Sequence, residues 1–246
     1  MAKKSKNDLK KLQSRMFRIQ QGVWHSKERV IIAIEGFDAA GKGGAIRRVT
    51  GNLDPRGVRV HPIGPPAPRA QGKHWLYRFW KKLPAKGIIA IFDRTWYGRV
   101  LVERVEKLTD KKNWKRAFTE INQFEKLLLD DGVKIIKIYL KISKEEQLKR
   151  FEQRLADPYK HWKITDADVR NRSLWDEYLV AVDEMVKKTN TKHCPWHMIE
   201  TDDKDESRQE VLEIITKRLS EIGDWMEEEA HRTDKKALRK KLAELD

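Results

Sequence analysis

Residues 31–50 read IIAIEGFDAAGKGGAIRRVT, and the fold follows from them. Val30 to Ile34 is a largely β-branched apolar run of the kind buried in a parallel sheet. A glycine-rich turn runs from Gly36 to Lys42, and Gly43 to Val49 opens a helix. Strand, GxxxxGK turn and helix make a phosphate-binding loop. Gly36 and Gly41 permit the sharp turn, and the helix N-terminus adds partial positive charge. The backbone of Gly36, Ala39, Ala40, Gly41, Gly43 and Gly44 is the candidate phosphate cradle, and Lys42 can reach the outer phosphates.

Two residues depart from the usual loop. Gly43 stands where a Ser or Thr hydroxyl normally holds Mg²⁺. Asp38 places a carboxylate where phosphates gather, which is unfavourable unless a cation is present. Asp38 is therefore expected to hold the metal or to accept a proton.

Upstream, Leu9, Leu12, Met16, Ile19 and Val23 keep helical spacing, predicting an amphipathic helix within residues 1–29. Downstream, residues 52–57 form a turn and VRVHPI, residues 58–63, a second strand. The proline-rich run 64–69 excludes regular structure. Because it follows a strand, it is a candidate wall of the ligand crevice. Trp75 to Trp80 is a short aromatic helix read as core, although Arg78 could face phosphate.

IIAIFD, residues 88–93, is an apolar strand ending in Asp93, the arrangement that carries a carboxylate to a Mg²⁺ site beside such a loop. Arg94, Arg99 and Arg104 follow at five-residue steps, which do not share a helix face, so at least one is structural and pairs with Glu103 or Glu106. A helix over 113–130, a strand over 133–142 and a helix to Ala156 come next, the last opened by a capping box at Ser143 and Glu146. Residues 158–174 carry Lys160, His161, Lys163, Arg170 and Arg172 and read either as a lid closing over phosphates or as a basic surface loop. A helix over 175–188, a strand over 195–200 and a helix over 204–222 complete a single domain, followed by a charged helical tail over 223–246.

The chain has 246 residues and 53 Lys and Arg against 38 Asp and Glu, leaving +15. Such a balance predicts an anionic partner: nucleic acid, acidic membrane, or a phosphate-rich molecule or polymer. One cysteine, Cys194, excludes an internal disulfide and suits a reducing compartment. No apolar run approaches a membrane span, and residues 1–15 lack a signal peptide's apolar core. A soluble cytoplasmic protein is expected. Scattered histidines and a single cysteine argue against a zinc site.

GFDAAGKGGAIRRVT, RFWKKLPAKG, IFDRTWYGRVLVERVE, PYKHWKITDADVRNRSLWDEY and CPWHMIETDDK resemble, in order, motifs of the family-2 polyphosphate kinases. The third block most resembles the polyphosphate:AMP phosphotransferases, some of which are two fused copies. The resemblance implies an α/β P-loop kinase fold, like that of thymidylate kinases, with a helical lid. It implies Mg²⁺-dependent, reversible phosphoryl transfer between inorganic polyphosphate and a nucleotide, with Mn²⁺ as an alternative cation. Lys42 is then the loop lysine, and Asp38 and Asp93 the carboxylates that hold the metal. Arg94 and Arg172 contact phosphates in the reaction, and Arg99, Lys160 and Lys163 bind phosphate or nucleotide. AMP, giving ADP, is the expected acceptor, with ADP to ATP as a second step. No nucleic-acid or membrane partner is expected, and a homodimer or homotetramer is implied. The chain departs from the family where acidic residues usually follow the second strand; here residues 65–71 read PPAPRAQ, and Thr95 replaces a serine. Competing readings are a polyphosphate-dependent nucleoside diphosphate kinase, an ATP-dependent nucleoside monophosphate kinase, and a nucleic-acid-binding NTPase module or a polyphosphate-binding protein without catalysis.

Overall fold

The computed structural model describes residues 2–70, 72–232 and 234–244. Of the expected helix over 1–29, loop over 65–71 and tail over 223–246, positions 1, 71, 233, 245 and 246 lie outside the described residues.

Five parallel strands form one sheet in the order β2-β3-β1-β4-β5. They are β1 (Arg29–Gly36), β2 (Val58–Pro62), β3 (Ile88–Asp93), β4 (Val133–Lys141) and β5 (Trp196–Glu200). This is a P-loop kinase fold. Val30 to Ile34 are fully buried in β1, because helices cover both faces of the central strands. The helix α1 (Ala2–His25) packs with α2 (Lys42–Thr50) and α9 (Lys204–Arg218) on one face. On the other lie α4 (Val102–Val105), α5 (Lys111–Asp130) and α8 (Trp175–Thr189). The short α3 (Tyr77–Trp80) buries Phe79, whereas Trp80 at its end is half exposed.

Parallel strands bring their carboxyl ends to one edge, and the register sets what meets there. Ile34 pairs with Asp93 of β3 and with Ile138 of β4, and Gly36 pairs with Leu140. Asp93 therefore reaches the edge beside the start of the loop. Gly36 adopts φ +150°, and a Cβ on it would sit 2.4 Å from the Leu140 carbonyl oxygen. Only glycine lets the loop leave the sheet so close to β4.

The helix α6 (Lys144–Ala156) starts at Ser143, whose hydroxyl accepts the Glu146 N–H at 3.1 Å. The expected capping box is only half formed. Glu146 turns to Arg150 at 2.8 Å, and Asp202 takes the Ser143 N–H instead. A complete box lies in the segment expected to be a lid, where Thr165 and Asp168 cap α7 (Asp166–Ser173). Thus residues 158–174 fold as a turn at His161–Lys163 followed by a capped helix. The expected helix over 204–222 breaks at Leu219 into α9 and α10 (Ser220–Gly223). Trp225 of α11 (Trp225–Arg232) stacks on His25 at 4.0 Å, laying α11 on α1. The side chains of α12 (Lys235–Ala243) are exposed.

Behind the sheet edge lies a buried polar network. Lys137 is fully buried and donates to Glu125 Oε2 at 2.8 Å, Tyr97 Oη at 2.9 Å and the Thr189 carbonyl at 2.8 Å. Glu125 also accepts from Tyr97 Oη and Trp96 Nε1. With every ammonium proton placed and the charge matched, the network ties the turn after β3 to β4, α5 and α8.

Candidate active site

The loop begins where β1 must yield its charge to the edge. Asp38 Oδ1 accepts from Arg94 Nη2 at 2.8 Å, and its Oδ2 accepts from Asn171 Nδ2 at 2.8 Å. Burial pushes the Asp38 carboxyl up, but Lys42, Arg94 and Asn171 outweigh it and hold its pKa below the usual value. Lys42 Nζ donates to the Gly36 and Phe37 carbonyls at 2.7 and 3.0 Å, inside the ring of the loop. Burial lowers the Lys42 pKa against the opposing pull of Asp38, Asp93 and Glu35. Gly41, at φ 103°, precedes α2 without a side-chain cap, so the first N–H groups of that helix face the site.

Arg94 adopts φ 63°, a left-handed conformation uncommon for a side chain-bearing residue, and this turns it back over the loop. Burial lowers its pKa, but Asp38, Glu35 and Asp93 together raise it above the usual arginine value. Glu35 lies just below, buried, accepting the Thr95 N–H at 2.7 Å and its hydroxyl at 2.8 Å. Burial raises the Glu35 pKa.

Two cavities open on either side of this loop. One, of about 250 Å³, is lined by Ala39, Ala40, Gly41, Gly44 and a wall of cations: Arg150, Arg154, Lys160, Lys163, Lys204 and Arg208. The other, of about 480 Å³, is lined by Glu35 to Asp38, by Arg78, Arg94 and Arg170, and by the carboxylates of Glu103, Glu106 and Asp168. Ile63, Pro65, Pro66, Leu101, Val102, Leu108, Tyr139 and Tyr178 supply apolar or aromatic wall. The proline-rich loop after β2 thus forms part of the crevice, as its position after a strand predicted, and Arg78 reaches it while donating to the Gly64 carbonyl.

The structure brings Asp38, Lys42, Asp93, Arg94 and the loop backbone together, with Lys160 and Lys163 across the smaller cavity. Lys160 pairs with Asp157, and Lys163 lies over the Trp162 ring. It does not bring Arg99 there. Arg99 pairs with Glu103 at 2.9 Å, donates to Thr109 at 2.8 Å and covers Trp75, so its guanidinium is spent on packing. Arg104 pairs with Glu184. Arg172 donates to the Lys144 carbonyl and to Gln147 Oε1, one side chain away from the loop rather than on it.

Sequence reasoning missed Glu35, Asn171, Gln147, Arg150, Arg154, Lys204 and Arg208. Glu35 left a signal, a charge inside a buried strand. Lys204 and Arg208 left a weaker one, four residues apart on one helix face. Asn171 and Gln147 act across more than a hundred residues of chain, and nothing local marks them.

The hard carboxylate oxygens of Asp38 and Asp93 are of the kind a divalent cation takes, and the open helix N–H groups suit the phosphate such a cation would accompany. Among the described residues no group of three or more His, Cys, Asp or Glu could hold a metal alone. Mg²⁺ does not need such a cage, since it keeps waters and takes substrate phosphate oxygens beside one or two carboxylates.

The model of the family described as Polyphosphate kinase 2 (PPK2) matches residues 1–224. The chain is 47% identical over 214 residues to a polyphosphate:AMP phosphotransferase of Acinetobacter johnsonii, covering 87% of this chain and 44% of that protein. It therefore spans less than half the length of that relative. It is 36% identical over 208 residues to ADP-polyphosphate phosphotransferase 2 of Rhizobium meliloti, covering 85% of this chain and 68% of that one. Among solved structures it matches polyphosphate kinase 2 from Arthrobacter aurescens TC1 with a TM-score of 0.84 and 33% identity, covering 87% and 77% of the two chains. The chain belongs to the polyphosphate kinase 2 family.

Proposed function

We propose that this protein transfers a phosphoryl group from inorganic polyphosphate to AMP, giving ADP, and in a second step from polyphosphate to ADP. The observation that carries the reading is the pair of unlike cavities flanking the phosphate-binding loop, one lined by Ala39 to Gly41 and the other by Gly36 to Asp38. The cation-walled cavity suits a polyanion without a base to recognise. The larger one, which combines arginines with apolar and aromatic wall, suits a nucleotide whose phosphate points at the loop. Identity to the AMP-named relative exceeds that to the ADP-named one, which favours AMP.

In the transfer, an acceptor phosphate oxygen bonds to the terminal phosphorus of the polymer. The bond from that phosphorus to the bridging oxygen breaks, and the oxygen leaves with the electron pair on the shortened chain. One phosphoanhydride replaces another, so the reaction is reversible. The protein supplies alignment and positive charge. Lys42 and the loop N–H groups bind the transferring phosphate, and Arg94 orients the acceptor and offsets charge in the transition state. Asp38 and Asp93 would hold a divalent cation, Mg²⁺ or Mn²⁺, which would neutralise phosphate charge. Lys160 and Lys163 complete the basic wall over the polymer, and Arg172 acts through Gln147, whose amide holds the Asp38 carbonyl. Residues 1–222 form the phosphotransferase domain, 158–174 its lid and 223–246 an appended tail, acting in the cytoplasm as a homo-oligomer.

The test offers AMP, ADP and GMP separately with long-chain polyphosphate and Mg²⁺, resolving products by chromatography. ADP formed from AMP only when polyphosphate is present supports the reading. ATP from ADP with AMP inert replaces the acceptor, and no product leaves a binding protein. Asp38→Asn should lower turnover on the order of 10²–10³-fold while polymer binding persists.

A further inference from the structure

Asp38 is gripped from two sides that belong to different parts of the fold. Arg94, beside the sheet edge, donates to Oδ1, and Asn171, on lid helix α7, donates to Oδ2, both at 2.8 Å. The Asn171 amide is fixed from behind, because its Oδ1 accepts from Tyr178 Oη at 3.4 Å. With that oxygen engaged, the amide nitrogen is the group that turns to Asp38. The next residue closes a second route. Arg172 donates to Gln147 Oε1 at 3.1 Å, and Gln147 Nε2 donates to the Asp38 backbone carbonyl at 2.9 Å. One short stretch of lid therefore fixes both the carboxylate and the peptide of Asp38.

We propose that Asn171 is a positioning residue that sets the Asp38 carboxylate for a divalent cation, so that docking of the lid helix and assembly of the cation site are one event. The inference rests on the phosphotransfer reading for the role of Asp38. Arg94 neutralises Asp38, which weakens it as a ligand, whereas the Asn171 amide orients it without cancelling its charge. An ionised carboxylate accepts about four hydrogen bonds. Arg94 and Asn171 occupy two of those positions, so Asp38 keeps lone pairs for a metal. Outer partners of this kind are typically worth about 10–100-fold in metal affinity.

The experiment titrates Mn²⁺ against the full chain without nucleotide or polymer, reading free Mn²⁺ by electron paramagnetic resonance. It compares wild type, Asp38→Asn, Asn171→Ala and Tyr178→Phe, with circular dichroism as the check on folding. Asn171→Ala should weaken Mn²⁺ binding about 10–100-fold, and Tyr178→Phe should weaken it less, because the amide is then free to rotate. In turnover, the half-saturating Mg²⁺ for Asn171→Ala should rise by a similar factor while the KM for polyphosphate moves less than about twofold. Should Asn171→Ala not fold, the Tyr178→Phe shift decides. A folded Asn171→Ala with wild-type affinity overturns the proposal, as does a wild type that binds no Mn²⁺. If Asp38→Asn loses Mn²⁺ and Asn171→Ala keeps it, only this inference falls. The phosphotransfer reading is judged separately, by whether ADP forms from AMP.

Discussion

Glu35 and Asp38 sit three positions apart and are driven in opposite directions. Burial raises the Glu35 pKa, while the cations around Asp38 lower its own. A depressed carboxylate contributes stability that is present above its ordinary pKa of about 4 and is lost as pH falls through the lower folded value. A raised carboxylate does the reverse, and its contribution is lost as pH rises through the folded value. Without divalent cations, urea midpoints between about pH 3 and 8 should therefore separate two variants. The advantage of wild type over Asp38→Asn should grow from acid to neutral pH, and its advantage over Glu35→Gln should shrink. Parallel curves for the two variants would contradict the assigned environments. At this scale, Asp38, Lys42 and Asp93 were legible because strand, turn and helix fix them locally. Asn171 was not, because its hydrogen bond to Asp38 exists only once α7 has folded back over β1.

At the scale of elements, the turn after β3 owes its place in the fold to Lys137. That lysine is fully buried, and with Glu125 it anchors Tyr97 and, through Glu125, Trp96, two residues beyond Arg94. Removing one member of such a pair strands the other charge, at a cost of about 3–5 kcal/mol. Lys137→Met should lower the melting temperature by roughly 10 °C, taking about 2–4 °C per kcal/mol for a chain of this size. The double variant Lys137→Met with Glu125→Leu should recover much of that loss, since no charge is then left buried. Calorimetry checks both. Apolar runs and breakers mark the strands and most helices within a few residues. The capping box expected at Ser143 forms only by half, because Glu146 has a better partner in Arg150. The five-residue step among Arg94, Arg99 and Arg104 does foretell a structural arginine, and Arg99 with Glu103 is one.

At the scale of the molecule, the charge of +15 is not spread evenly over function. Six cations wall the smaller cavity, and they come from α6, residues 160–163 and α9, so no single stretch of sequence reveals the wall. The net charge points to a polyanion; the fold is what gathers the charges beside the loop. Lys204 and Arg208, on α9, touch this cavity but not the larger one, which makes them a selective probe. Removing one cation that binds a phosphate should reduce the dependence of polymer affinity on salt, by about 0.7 in the slope of log affinity against log salt for a single-stranded polyanion. Lys204→Ala with Arg208→Ala should therefore raise the KM for polyphosphate most at low salt and flatten its salt dependence by about 1.4 in that slope. The KM for AMP should stay within about twofold, because Lys204 and Arg208 do not line the larger cavity proposed for the acceptor. Steady-state kinetics at several ionic strengths reads both quantities together. A rise in the KM for AMP as large as that for the polymer would mean that the two cavities are not divided between donor and acceptor.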